Sequence, residues 1–439
     1  MKDFIDVKRK RVVIVGGGFG GLTVAKQLKN QNFDVVLIDR SNHHLFQPLL
    51  YQVASSALSP GDIASPLRTI LRNARNITIE MDEVVSINVE QQYISLADQG
   101  EMRYDYLVLA PGSRHSYFGN NHWEEFAPGL KSLDDALAIR EKMLLAFENA
   151  EHVFTNKELV KKYLTFVVVG AGPTGVEIAG AFAEIAVNTI LPDYPLLQKT
   201  DITVILIEGG SRVLSSFSED LSVSAKKSLE SLGVKVLLHT KVTNITENGV
   251  HIINENSIPE FLETTNVFWG AGNKVSPLLE HLHSPLDSMG RVIVNDDLSI
   301  ENHRNVFVIG DAAHIRYDNN SKIVPGIAPA AIQSGKYVAS IILSELLSRS
   351  PIANRKPFQY WDKGSMATIG RAKAIAQIGK LEFSGIFAWL LWAVIHIVYL
   401  IGFRNRFSVM AEWTWYYLTF KPGARLIIRS KVRSKKQQV

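Results

Sequence analysis

The chain has 439 residues, enough for roughly two or three domains with substantial cores, and its 46% apolar content is that of a folded globular protein. It contains no cysteine, which excludes thiolate catalysis, cysteine-ligated zinc, iron–sulfur clusters and structural disulfides, and fits a reducing compartment. The net charge of +4 is unevenly placed: seven bases from Lys421 onward, with no acid among them, leave a body of net charge −3, which speaks against a nucleic-acid-binding face and for a tail that meets anionic lipid.

Met1–Lys10 is short and mixed in charge, so no secretory signal is expected. The first unit then reads strand Arg11–Val15, glycine turn, helix Phe19–Lys29 and strand Asp34–Asp39. Gly16, Gly18 and Gly21 fill the positions of G-x-G-x-x-G, with Phe19 and Gly20 between them. Tyr106–Leu109 is another buried strand, ended by Ala110, Pro111 and Gly112. A helix from Ser132 to about Ala150 leads into a second unit on the same plan. There, strand Thr165–Val169 runs into Gly170, Gly172, Thr174 and Gly175, followed by helix Gly175–Ala186 and strand Thr203–Glu208. Val187–Lys199 reads as an insertion, Val267–Gly272 echoes Leu107–Gly112, and a late strand ends in Gly310 and Asp311.

Near-continuous apolar strands alternating with helices imply an α/β fold with parallel, doubly wound sheets. The order predicts two Rossmann-like dinucleotide-binding domains, one inserted in the other. The first spans residues 1–115 and 271–340, the inserted one 116–270, and residues 341–439 make a helical C-terminal region.

A dinucleotide pyrophosphate needs close backbone approach and a positive field. Glycines at these spacings permit the first, and a helix N-terminus supplies the second. The acid ending the next strand, Asp39 in one unit and Glu208 in the other, accepts hydrogen bonds from a ribose. A carboxylate at 208 pairs with a free 2′-hydroxyl and repels a 2′-phosphate, so NADH is expected over NADPH; Arg212, four residues on, softens that discrimination. One such turn is weak evidence. Two in one chain suit electron transfer between a nicotinamide and a flavin. His43 and His44 are adjacent and point apart, so no metal is expected there; His314 and His396 read as structural.

With both fingerprints in place, Leu107–Ser113 (LVLAPGS), Val267–Gly272 (VFWGAG) and Gly310–Ala313 (GDAA) resemble the two-dinucleotide flavoprotein reductases. Asn42–Ala54 (NHHLFQPLLYQVA), Gly61–Arg68 (GDIASPLR), Gly170–Gly180 (GAGPTGVEIAG) and Pro325–Gly335 (PGIAPAAIQSG), with the apolar, aromatic C-terminus, narrow the resemblance. They are similar to the type II NADH:quinone oxidoreductases over essentially the whole chain. The resemblance implies FAD on the first fingerprint, with Asp39, Ala110 and Gly112 and with Gly310 and Asp311 at the ribityl or pyrophosphate portion. It implies NADH on the second, with Glu208, Gly270 and Ala271. Glu177, taken to lie on the first turn of its helix, falls where similar enzymes bring nicotinamide and flavin together, although an acid there also suits simple capping. The helix after Pro325 would direct its positive end at the flavin ring. Gln333 is the candidate donor to a quinone carbonyl, against an amide satisfied within the fold. Similar enzymes often carry a second glutamine four residues earlier; this chain has Pro329, so contact through two glutamines does not carry over.

Gly385–Phe403 is apolar enough to raise a membrane span, by the rule of about 18 residues. Arg404 and Arg406 follow, then Trp413, Trp415, Tyr416 and Tyr417, types favoured at lipid headgroups. A spanning helix, an in-plane anchor and a buried or dimer helix all fit; the resemblance favours a monotopic anchor, helped by the basic tail. The expected partners are NADH, a membrane quinone and the bilayer surface, with a homodimer through the C-terminal region open and no nucleic acid. The expected place is the cytoplasmic face of the inner membrane, and no proton pumping is expected, since no bundle of spans carries acids. A tethered redox sensor and an NAD(P)H oxidase using another acceptor are the alternatives.

Overall fold

The structure is a computed structural model that describes residues 9–317, 322–348, 354–419 and 424–427. In chain order its principal elements begin with β1 (Arg11–Val15), α1 (Phe19–Gln27), β2 (Asp34–Asp39), α2 (Leu50–Ala54), β3 (Ile77–Met81), β4 (Tyr106–Leu109) and α3 (Leu133–His152). Then come β5 (Thr165–Val169), α4 (Pro173–Ile185), β6 (Thr203–Ile207), β7 (Val234–Leu237), β8 (Asn266–Trp269), β9 (His303–Val308) and α5 (Ala328–Ser348). The last are β10 (Ser365–Gly370), β11 (Lys373–Ile378), β12 (Leu381–Gly385), α6 (Ile386–Tyr399) and α7 (Phe403–Thr419).

They fall into two compact units: Met1–Leu45, Ala64–Arg114 and Asn273–Asp362 in one, Phe46–Ile63, His115–Gly272 and Lys363–Val439 in the other. Two segments depart from the expected division. Phe46–Ile63 joins the second unit, and the C-terminal residues make no unit of their own: those up to Asp362 pack with the first and those from Lys363 with the second.

In the first unit, parallel strands run β9–β4–β1–β2–β3, with Ser299–Ile300 added antiparallel at the β9 edge. Val12, Val13, Ile14 and Leu37 have no exposure at all, as strands covered on both faces require. A buried charge cluster ties α5 down. Arg355 grips Glu345 through Nε (2.9 Å) and Nη2 (2.8 Å) and Asp297 through Nη1 (2.9 Å), while the Tyr106 hydroxyl donates to the other Glu345 oxygen at 2.9 Å.

In the second unit the parallel sheet runs β7–β6–β5–β8. Ser132 starts α3 with a capping box in which its side chain accepts from Asp135 N. From α3, the buried Arg140 donates to Val53 O (2.7 Å) and Leu58 O (2.6 Å), so α2 is held by cation-to-carbonyl bonds at its C-terminal end. The one described helical stretch long and apolar enough to cross a bilayer, Pro173–Asp193, is mostly buried and belongs to this core.

The C-terminal part is not purely helical. β10, β11 and β12 form an antiparallel sheet before the helices begin. It lies on α4 at Gly180, where an added Cβ would fall 1.6 Å from Ile369 O; only the missing side chain lets strand and helix come so close. The apolar run is also shorter as a helix than as a sequence. α6 ends at Tyr399, and Gly402 at φ +91 turns the chain into α7. Fourteen residues make about 21 Å of helix against a hydrocarbon core of about 30 Å. The spanning reading is therefore corrected: α6 is too short. Arg406 caps it, donating to Leu400 O and Val398 O at 2.8 Å each. Of the seven bases of the tail, only Arg425 lies among the described residues; it pairs with Asp193.

Candidate functional sites

The first glycine turn joins β1 to α1, and its glycines divide the work. Gly16 sits at φ +102, and a Cβ there would come 2.2 Å from Ala110 O. A Cβ on Gly21 would fall 1.9 Å from Gly16 O. Both positions exclude side chains for reasons internal to the turn. Gly18 differs: a Cβ there meets nothing within 4 Å. The space over the middle glycine is left by the protein, beside a helix N-terminus whose N-cap residue has no side chain to satisfy it. That combination of room and orphan N–H groups fits a pyrophosphate.

Asp39 does more than end its strand. Its Oδ2 accepts from Gly17 N (2.6 Å) and its Oδ1 from Ser41 N (2.7 Å), which fixes turn and carboxylate to each other. His44 closes the other side, with Nδ1–H donating to Gly17 O at 3.0 Å and its ring edge-on to Phe19 at 5.0 Å. Burial pushes its pKa down to about 4, so the imidazole is neutral. Asp311 accepts from Ser113 Oγ at 2.8 Å; Gly310 (φ +65) and Gly112 (φ +70) take backbone that side chains avoid. Gly20, expected as a cofactor contact, lies in close packing: its Cβ would meet Ile309 at 3.0 Å, and a Cβ on Gly335 would meet Gly20 O at 2.7 Å where α5 crosses.

The second turn, from β5 to α4, repeats this geometry in the second unit. Gly170 lies at φ +95, a Cβ on Gly175 would fall 1.8 Å from Gly170 O, and Gly172 again has open space. Glu208 plays the part of Asp39, its Oε2 accepting from Ala171 N (2.7 Å) and Oε1 from Gly210 N (2.8 Å). Ala271 backs the turn within 2.8 Å of where a Gly170 Cβ would be, and Gly270 packs against Gly175. Thr174 is the second residue of α4, behind Pro173 at its start.

A third feature, within the second unit, was invisible in the sequence. α2, α4, β10, α6 and α7 enclose a cavity whose walls include Tyr51, Gln52, Glu177, Glu184, Trp392 and Trp413. Glu177 is the fifth residue of α4, beyond the first turn, so the capping explanation fails. Part of its surface faces the cavity, yet burial pushes its carboxyl up to about 8 against a hydrogen bond from the Thr368 backbone. Trp413 Nε1 donates to Gln52 Oε1 (2.7 Å), and Gln52 Nε2 donates to the Tyr51 hydroxyl (2.8 Å). His396 stacks on Trp392 at 4.3 Å and donates Nδ1–H to Trp392 O at 2.7 Å; burial lowers its pKa to about 4. Trp413 and Tyr416, read as headgroup residues, thus line the cavity, whereas Trp415 stays exposed. The run around Phe46–Tyr51 was singled out in the sequence, but nothing local tells that Tyr51 and Gln52 meet residues more than a hundred positions away.

Gln333 meets the Trp361 backbone. Its Nε2 donates to Trp361 O and its Oε1 accepts from Trp361 N, both at 3.0 Å. Each end of the amide keeps a second hydrogen-bonding position, one N–H on Nε2 and one lone pair on Oε1. Pro329 takes the second position of α5, where a missing N–H costs nothing.

Two nucleotide turns with ribose-side acids and no cysteine define a two-dinucleotide flavoprotein reductase without a redox disulfide. The comparisons agree. Residues 10–335 match the pyridine nucleotide-disulphide oxidoreductase family and residues 362–419 the NDH2 C-terminal domain. The type II NADH:quinone oxidoreductase Ndh of Mycobacterium tuberculosis is 45% identical over 95% of this chain and 90% of its own, and NdhA of the same organism 43% over 92% and 86%. In fold, the chain is similar to NDH2 of Plasmodium falciparum solved with NADH, at a TM-score of 0.87 and 23% identity over 96% of this chain and all of that one. The chain belongs to the type II NADH:quinone oxidoreductases.

Proposed function

We propose that the protein oxidises NADH and reduces a membrane quinone, with FAD on the first turn, NADH on the second, and the quinone head in the aromatic cavity of the second unit. The observation that carries the reading is the matched pair of turns, each with an open middle glycine at an uncapped helix N-terminus. When bound, FAD accepts a hydride from NADH and yields two electrons to the quinone.

The chain's own residues bind, orient and supply protons. Asp39 and Glu208 lock each turn through a backbone N–H and offer carboxylate oxygens to a ribose. The Glu208 carboxylate disfavours a 2′-phosphate, so NADH should be preferred over NADPH. In the cavity, Glu177 stays protonated to about pH 8 and can give a proton to a quinone oxygen. The phenol of Tyr51 and the indole walls exclude water from a ring lying between them.

The exposed faces of α6 and α7 support attachment to a membrane. Phe387, Leu390, Val394 and Val398 recur at helical spacing on one face of α6, and Phe403, Phe407 and Met410 continue the apolar surface on α7, all exposed. Such a face suits helices lying in the bilayer surface, on the cytoplasmic side where the basic tail meets anionic lipid. The exposed edge strand β12, with Leu381 and Phe383 outward, is the surface on which a second copy would pair. The test is NADH oxidation by the FAD-loaded protein with and without a soluble quinone analogue. Quinone-dependent turnover with NADH, and much less with NADPH, is expected; NADH binding without turnover would favour the sensor.

A further inference from the structure

The reaction NADH + H⁺ + quinone → NAD⁺ + quinol takes two electrons and one proton from the hydride. The other proton must come from bulk water and reach a quinone head set among aromatic walls. One buried acid in that cavity has no part in the reading above. Glu184 is 9% exposed and stands seven residues after Glu177 on α4, two turns along one face and about 10 Å away along the axis. Both carboxyls line the cavity.

The groups around Glu184 come from four elements. Arg371, in the turn between β10 and β11, gives its backbone N–H to Glu184 Oε2 at 3.0 Å, and its guanidinium and Lys373 of β11 act on the same carboxyl as charges. Tyr416 of α7 feels Glu184 and Arg371 together. Tyr51 of α2 feels both Glu184 and Glu177, and its hydroxyl bonds the Thr368 side chain while the Thr368 backbone bonds Glu177. Tyr51, Thr368 and Glu177 are thus joined by hydrogen bonds along the cavity, and Glu184 lines the same cavity within charge range of Tyr51. At Glu184 the cavity meets the half-buried Arg371 and Lys373. Burial raises the Glu184 carboxyl above its ordinary range, which suits a group that is protonated and deprotonated in turn rather than a fixed anion.

We propose that Glu184 is the proton-entry group of the acceptor cavity. It takes one proton per turnover from water at the Arg371 side. As its O–H breaks, the proton moves through cavity water to the Tyr51 hydroxyl, which releases its own proton through cavity water to Glu177, replacing the one that Glu177 gives to the quinone oxygen. No electrons move on this path, and after each turnover Glu184 is reprotonated from water. The proposal rests on the quinone occupying this cavity.

The test uses the full-length, FAD-loaded enzyme under anaerobic stopped flow, with a short-chain ubiquinone analogue as acceptor. In E184Q the amide oxygen still accepts the Arg371 N–H and the volume is kept, so a purely structural role survives. Flavin bleaching by NADH should keep its wild-type rate. Reoxidation by quinone should slow by about tenfold or more, show a larger solvent deuterium isotope effect, and recover on addition of acetic or formic acid. E184D, which keeps a carboxyl, should stay within a few-fold of wild type. Wild-type reoxidation in E184Q, or slowing that added acid does not relieve, would overturn the proposal. A181F, which fills the cavity from α4, separates the two claims. If A181F blocks reoxidation while E184Q is silent, only proton entry fails. If A181F leaves quinone kinetics unchanged, the cavity reading fails and the proposal with it.

Discussion

At the scale of single residues, the two turns show which glycines serve the fold and which serve the ligand. Gly18→Ala adds a methyl to open space, so the protein should fold with a near-wild-type melting temperature yet lose flavin absorbance on purification. Gly21→Ala drives a methyl into Gly16 O and should cost folding itself. Equal loss of folding in both would contradict this division. Glu177 makes a pH prediction. Its folded pKa of about 8 lies above the ordinary 4.5, so the folded state holds a proton that the unfolded chain has released. Between those values stability should fall as pH rises, by on the order of 1 kcal/mol per pH unit, level off above about 8, and be unaffected by this group below 4.5. Thermal melts of wild type and Glu177→Gln across pH 4 to 9 read it directly: the difference between them should grow with pH up to about 8. At this scale the turns and their acids were legible because the constraint is local: a glycine whose added Cβ would fall within 2 Å of a carbonyl oxygen leaves its mark in the spacing. The partner of Gln333 was not, since nothing local in the sequence points to the Trp361 backbone 28 residues on.

At the scale of elements, the C-terminal part carries the lesson. Ser365–Gly370 and Lys373–Ile378 are six-residue strands, each buried at three successive central positions, with two-residue turns at Arg371–Ala372 and Gly379–Lys380. The aromatic and aliphatic enrichment that follows hid that signal. The end of α6 was hidden too, because a single glycine in an apolar run does not reveal the positive φ it will adopt. The exposed face of α6 and α7 is testable without breaking the cavity behind it. Phe387→Glu, Val394→Glu and Phe407→Glu together should leave the melting temperature near wild type and abolish flotation with anionic vesicles. Retained flotation would place the anchor elsewhere. In the first unit, Arg355→Met leaves the Glu345 carboxylate buried without its guanidinium and should cost about 3–5 kcal/mol. Flavin should then be released at a visibly lower temperature.

At the scale of the whole molecule, a repeated plan has been put to two uses. Each unit builds a parallel sheet, turns on glycines after a central strand, and fixes the turn with an acid from the next strand. The second unit then adds an aromatic cavity lined by the C-terminal sheet and helices. The repeat could be read from sequence because both copies keep the same short motif. The cavity could not, because its walls come from residues 51, 177, 184, 368 and 413, which only folding brings together. The most direct measurement is a single turnover without oxygen. One equivalent of NADH should bleach the bound flavin, and a soluble quinone added next should restore its absorbance at a rate no slower than steady-state turnover. A flavin that NADH bleaches and quinone leaves bleached, or a protein that takes up no FAD, would contradict the account.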